Sequence, residues 1–247
     1  MQAGVLIVIA AFLTSILSGV FGMAGGLVFM GVLAWILPVS TALALHGTIQ
    51  FASNAWRALL HRTHIAWPVL LWFALGAAAA VGFFSLIVFA PTKFCVFLGL
   101  GLMPILVWLP ERWLPLDAAN RWHALGGGFV STGIALVAGV SGPVTDMLFI
   151  NTRLGRHQIV ATKAVMQAMG HASKIIFYGG VLLGAAGRAA IPLPATALAI
   201  TASMAGIMVG GVILDRISDA HFRASRRWLM TIIGTTFLFQ AIHLAVS

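Results

Sequence analysis

Charge is what this chain has least of: 8% of its residues are charged, and only five are acidic. A soluble domain carries roughly a quarter. The 247 residues, 61% hydrophobic with a mean hydropathy of +1.05, therefore read as an integral membrane protein. Cysteine is nearly absent too. Cys95 alone excludes an internal disulfide, a cysteine-based metal site and a dithiol redox centre. Strand alternation with turn signals at about ten-residue spacing is missing, which argues against a β-barrel. There is no GxxxxGK[ST] loop, so no use of ATP by this chain is expected. HExxH and GxSxG are absent, and no nucleophile–base set or His/acid metal cluster stands out, so no enzyme, cofactor or metal is expected. The net charge of +9 would suit a nucleic-acid partner in a soluble protein. Without a basic patch interleaved with aromatics, that partner is excluded. The first segment lacks the basic stretch of a cleaved signal and is read as retained.

What the chain does have is long apolar runs, which argue for helices. Spans are expected at about 41–60, 66–90, 94–110, 158–183, 190–214 and 227–246. Two further runs, about 5–37 and 123–150, are interrupted at Gly22-Met23-Ala24-Gly25-Gly26 and Gly139-Val140-Ser141-Gly142-Pro143. Gly22 and Gly139 lie 117 positions apart, as do Gly25 and Gly142. Within the spans, His46, Gln50, Asn54 and Arg57 recur at spacings that stack along one helix face. Lys163, Gln167, His171 and Lys174 repeat the pattern, again 117 positions on. The chain therefore reads as a duplication, with repeats at 1–117 and 118–247.

The second copy is either parallel to the first or inverted. If each broken run is a re-entrant hairpin of two half-helices, each repeat has three full crossings and the copies are inverted. One side then receives Arg57, Arg62, Arg112, Arg121, Arg153, Arg156, Arg216, Arg223, Arg226 and Arg227, the other only Lys93 and Arg188. That is the steep bias expected of cytoplasmic loops, and it favours inversion with both termini on the non-cytoplasmic side. Trp35, Trp56, Trp67, Trp72, Trp108, Trp113, Trp122 and Trp228 fall near segment ends, as in an aromatic belt. Pro38, Pro68, Pro91, Pro110, Pro115, Pro192 and Pro194 cluster there too.

The candidate site follows from these two features. A helix broken at mid-bilayer frees backbone N–H groups, and the half-helix beyond turns its positive end to the gap. Gly22, Gly25, Gly26, Gly139 and Gly142 would let the backbone approach a ligand, with Ser141 and Thr145 adding hydroxyls and Pro143 starting a helix. Tight helix packing is the competing account of these glycines. Gln50 and Gln167 are expected about 15 Å into their helices, near the midplane. Their amides, with Asn54 and His171, can donate to an oxyanion; the competing account is interhelical bonding. Lys163 and Lys174 share the face of Gln167 and would draw anions in, whereas Arg57 suits snorkelling to the headgroups. Asp146, the one acid placed at depth, either neutralises Lys163 or exchanges protons; His46 and His171 are the other proton carriers.

The stretch Gly-Val-Phe-Gly-Met-Ala-Gly-Gly at 19–26, with Pro38, Ala44 and the polar run to Asn54, resembles the TauE/SafE family. So do Ala-Gly-Val-Ser-Gly-Pro at 138–143, Ala161, Lys163 and Gln167 in the second half. Pro143 stands where that pattern has a third glycine. The resemblance implies an all-α polytopic transporter of sulfite, sulfonates such as sulfoacetate, or related small anions across the cytoplasmic (inner) membrane. An anion channel and a non-transporting membrane subunit are the rival readings, and an oligomer is compatible with either.

Overall fold

The computed structural model describes residues 2–87, 90–110, 113, 115–184, 193–214, 216–217 and 219–246. Glu111, Arg112, Arg188, Pro192 and Asp215 lie outside them, as do the side chains of Arg156, Arg223, Arg226 and Arg227. Among the described residues every long element is a helix and there is no strand. The first half comprises α1 (Gln2–Phe21), α2 (Met23–Ile36), α3 (Val39–Leu60), α4 (Trp67–Leu86) and α5 (Lys93–Trp108). The second comprises α6 (Arg121–Ala138), α7 (Gly142–Met147), α8 (Arg156–Leu183), α9 (Leu193–Leu214) and α10 (Asp219–Val246).

Local sequence accounts for the boundaries. Pro68 and Pro143 open α4 and α7 from the first turn, where a missing N–H costs nothing. Thr92 and Asn120 cap α5 and α6 with side-chain oxygens that accept from Cys95 and Trp122 backbone N–H groups. The breaks fall at Gly22 and Gly139, the only described residues with positive φ (71° and 83°). Beyond Gly22 the chain doubles back. A Cβ on Gly25 would collide with the Thr14 carbonyl, so α2 lies directly against α1.

The limbs differ from the expectation of two half-helices. α1 has 20 residues and α6 has 18, each close to a full bilayer crossing, whereas α2 has 14 and α7 only six. Four segments are long and apolar enough to span: Ala3–Phe21, Trp67–Leu86, Leu193–Leu214 and Trp228–Val246. With their exposed Leu, Ile, Val and Phe side chains, they mark this as a multi-pass membrane protein. Trp35, Trp67, Trp108, Trp113 and Trp122 are exposed at or near helix ends and Trp228 at the start of the apolar stretch within α10, while Trp56 and Trp72 are partly covered.

Helix packing follows a reciprocal pattern. α1 packs chiefly on α9, α4 on α6, α3 on α8 and α5 on α10. Small residues allow it: a Cβ on Gly19 would stand 2.7 Å from the Gly210 Cα, and Gly76 and Gly128 sit against the Leu125 and Phe73 carbonyls across α4 and α6. α3 and α8 cross where Gly47 leaves room, its missing Cβ position only 3.1 Å from the Lys174 Cβ. That crossing places the two polar stripes side by side.

Candidate anion site between the broken helices

A pocket opens between the two breaks. α1 and α2 supply Ser18, Gly22 and Gly26; α3 supplies His46, Gln50, Asn54 and Arg57. From the second half come Ala135, Val140, Ser141, Gly142, Gln167, Gly170 and His171, with Ile207 from α9. No acidic residue lines it among the described residues. Its polar groups are one guanidinium, two imidazoles, three amides, two hydroxyls and glycine backbone, a set rich in donors.

Several contacts fix these groups. His46, fully buried, has its Nε2 3.0 Å from the Gly26 carbonyl. A carbonyl can only accept, so that nitrogen carries the hydrogen. Asn54 gives one N–H to the Gln50 carbonyl at 2.9 Å, leaving the rest of its amide for the pocket. The Arg57 guanidinium reaches the Ser18 carbonyl at 3.4 Å, tying α3 to the end of α1. Ser141, Ser131 and Thr145 form a hydroxyl cluster at 2.9 Å spacings. The Nδ1 of His171 is buried with no hydrogen-bond partner among the described residues. Beyond the helix end, His61 is held below the usual histidine range, chiefly because burial disfavours its charged form. Repulsion from Arg57, His157 and His64 adds to this.

Of the residues singled out from sequence, Gly22, Gly26, His46, Gln50, Asn54, Ser141, Gly142, Gln167 and His171 line this one pocket. Gly25, Gly139, Lys163 and Asp146 do not. Gly25 is taken up by contact with Thr14 and Ser18. Gly139 ends α6 and faces Met30 and Leu43. Lys163 is paired with Asp146, so of the two roles considered for that acid the geometry is that of an ion pair. Arg57 corrects the snorkelling expectation, since it turns inward to the pocket. Lys174 does not line the pocket; it is completely buried behind His46. Ser18, Ala135, Gly170 and Ile207 were not anticipated. Ser18 had a signal, one turn before Gly22, but its counterpart is Ala135, so no doubled polar pattern marked it.

The fold and this pocket define a polytopic helical membrane protein with a polar pocket between its two broken helices. A family model described as "Sulfite exporter TauE/SafE" matches residues 7–237 of the 247. The chain belongs to the TauE/SafE family, and membership implies a membrane transporter of sulfite or related anions. No curated protein and no solved structure gives a match.

Proposed function

We propose that this protein is a secondary transporter that moves small sulfur-containing or organic anions outward across the cytoplasmic membrane. Sulfite and sulfonates such as sulfoacetate are the intended cargo. The observation that carries the reading is the pocket's inventory: Arg57, the Gln50, Asn54 and Gln167 amides and glycine backbone converge, with no carboxylate beside them among the described residues. Arginine presents a planar fork of donors that matches an oxyanion, and amides add donors without burying further charge. The uncapped first turn of α2, beginning at Gly22, adds a positive helix end. α7, at six residues, contributes the Ser141 and Gly142 surface instead.

The reciprocal packing of α1 on α9 and α6 on α4 supports two repeats, 1–117 and 118–247, related by a twofold. The one-sided distribution of arginines in the sequence favours an axis in the membrane plane, hence inverted repeats. Rocking of one repeat against the other around the pocket would then expose it to each side in turn.

Uptake of labelled sulfite, sulfoacetate and carboxylates by proteoliposomes, with and without a pH gradient, tests this. Gln50→Leu and Gln167→Leu should abolish the flux in protein that still elutes as a monodisperse peak. Full activity in both variants refutes the assignment of the glutamines. Currents far above carrier turnover in a planar bilayer would instead make the protein a channel.

A further inference from the structure

Behind the pocket lies a buried lysine that the anion site itself does not use. Lys174 has no exposed surface at all. Its Nζ is 2.6 Å from His46 Nδ1 and 2.6 Å from the Gly139 carbonyl. Because His46 Nε2 donates to the Gly26 carbonyl, Nδ1 is the lone-pair nitrogen and must accept from the lysine. One continuous chain of hydrogen bonds therefore joins the two breaks, from Gly26 through His46 and Lys174 to Gly139.

Donor counting identifies the protonation state this chain suits. A neutral amine has two N–H donors, and Lys174 faces two acceptors. An ammonium has a third donor and a full charge, yet no carboxylate contacts Lys174 among the described residues. Asp146 is engaged by Lys163, eleven positions or about 16 Å away along α8. The other titratable groups around it are His46 on α3, Arg57 further along α3, and His171 and Tyr178 on α8. Tyr178 donates to the Leu136 carbonyl. His171 packs edge-on against His46, ring centroids 5.4 Å apart. None of these supplies negative charge to the ammonium. A solute anion in the pocket, on the far side of the His46 ring, would.

We propose that Lys174, held by His46 and Gly139, is a proton-binding site coupled to the pocket: it is neutral when the pocket is empty and takes up one proton when an anion occupies it. The step is a simple protonation: the amine lone pair takes up one proton from the buffered solution, the buffer acid becoming its conjugate base, and the bound anion balances the new charge. Coupling is reciprocal, so the proton tightens anion binding by the factor by which the anion favours the proton. The same proton changes a hydrogen-bonded link between the two breaks, which gives the coupling a route to their relative movement. The proposal rests on the pocket being an anion site.

Protein in nanodiscs is titrated with sulfoacetate in buffers of differing ionisation enthalpy, between about pH 6 and pH 9. The expected result is uptake of about one proton per anion, with Kd weakening up to about tenfold per pH unit on the alkaline side. Lys174→Met should remove the uptake and the pH dependence together, while Asp146→Asn retains both. The chain has only three lysines, Lys93, Lys163 and Lys174. Nitrogen-15 lysine spectra of the wild-type protein therefore give a readout that needs no substitution at position 174. One Nζ resonance, still present in Lys93→Met and Lys163→Met protein, should convert from amine to ammonium as sulfoacetate is added. Three ammonium resonances throughout, uptake that survives Lys174→Met, or uptake lost in Asp146→Asn would each overturn the proton site and leave the anion pocket standing. Absence of any sulfoacetate, sulfite or carboxylate binding by the wild-type protein would overturn both.

Discussion

The two halves set equivalent positions to different work. Gln50 and Gln167 both face the pocket, and Asn54 and His171 both line it one turn further on. Three residues beyond, the equivalence ends. Arg57 points its guanidinium into the pocket, whereas Lys174 is withdrawn behind His46 and fully buried. At the other end of the stripes, His46 lines the pocket while its counterpart Lys163 pairs with Asp146. Equal spacing puts Cα atoms in equivalent places; side-chain length and the nearest acceptor decide which cation meets the solute. The first half carries the pocket's fixed charge, and the second keeps both of its lysines on protein partners.

The sharpest way to break this comparison is at position 57. Arg57→Gln should weaken sulfoacetate binding by about 10- to 100-fold, the usual worth of hydrogen bonds to a charged group. Arg57→Lys should recover little of that loss, because an ammonium cannot reproduce the bidentate fork. A binding titration in detergent or nanodiscs checks both. Wild-type affinity in Arg57→Gln would mean that the amides and backbone alone hold the anion.

Much of this architecture was legible in the chain. Helices expected at 41–60 and 158–183 are found at Val39–Leu60 and Arg156–Leu183. The breaks fall at Gly22 and Gly139, because only glycine tolerates those φ values easily. The stripes were legible because helical periodicity survives any packing. What stayed hidden were choices that depend on neighbours. Arg57 could have reached the headgroups, but it lines the pocket with its guanidinium on the Ser18 carbonyl, a partner that spacing along α3 does not reveal. Nothing in the spacing separates Gly25, pressed against Thr14, from Gly26, open to the pocket. The length of α7 was hidden too, since a helix that stops after six residues has no distinct sequence signal.

The two break glycines make the next test. At Gly22 a new Cβ meets nothing within 4 Å, so Gly22→Ala acts through backbone strain alone, about 1–3 kcal/mol. At Gly139 the backbone is left-handed, and the new Cβ would also lie 2.5 Å from Met30 Sδ. Gly139→Ala should therefore cost strain of about 1–2 kcal/mol plus a term for displacing Met30. Thermal unfolding in a double-mutant cycle with Met30→Ala separates the two. Coupling is expected for Gly139→Ala and none for Gly22→Ala, and equal coupling at both sites would remove the distinction.

The smallest expected effect concerns Lys163 and Asp146, whose side chains retain 24% and 17% exposure. Partly exposed pairs contribute little, and removing one member mainly leaves the other without its counter-charge. Lys163→Met should lower stability by about 1–2 kcal/mol, and adding Asp146→Asn should restore most of it by removing the stranded carboxylate. Sulfoacetate affinity should stay within about twofold of wild type in both, because neither residue lines the pocket. A loss of affinity as large as that of Arg57→Gln would mean that the second half also presents a cation to the solute. The functional asymmetry between the halves would then disappear, although their side chains are placed so differently.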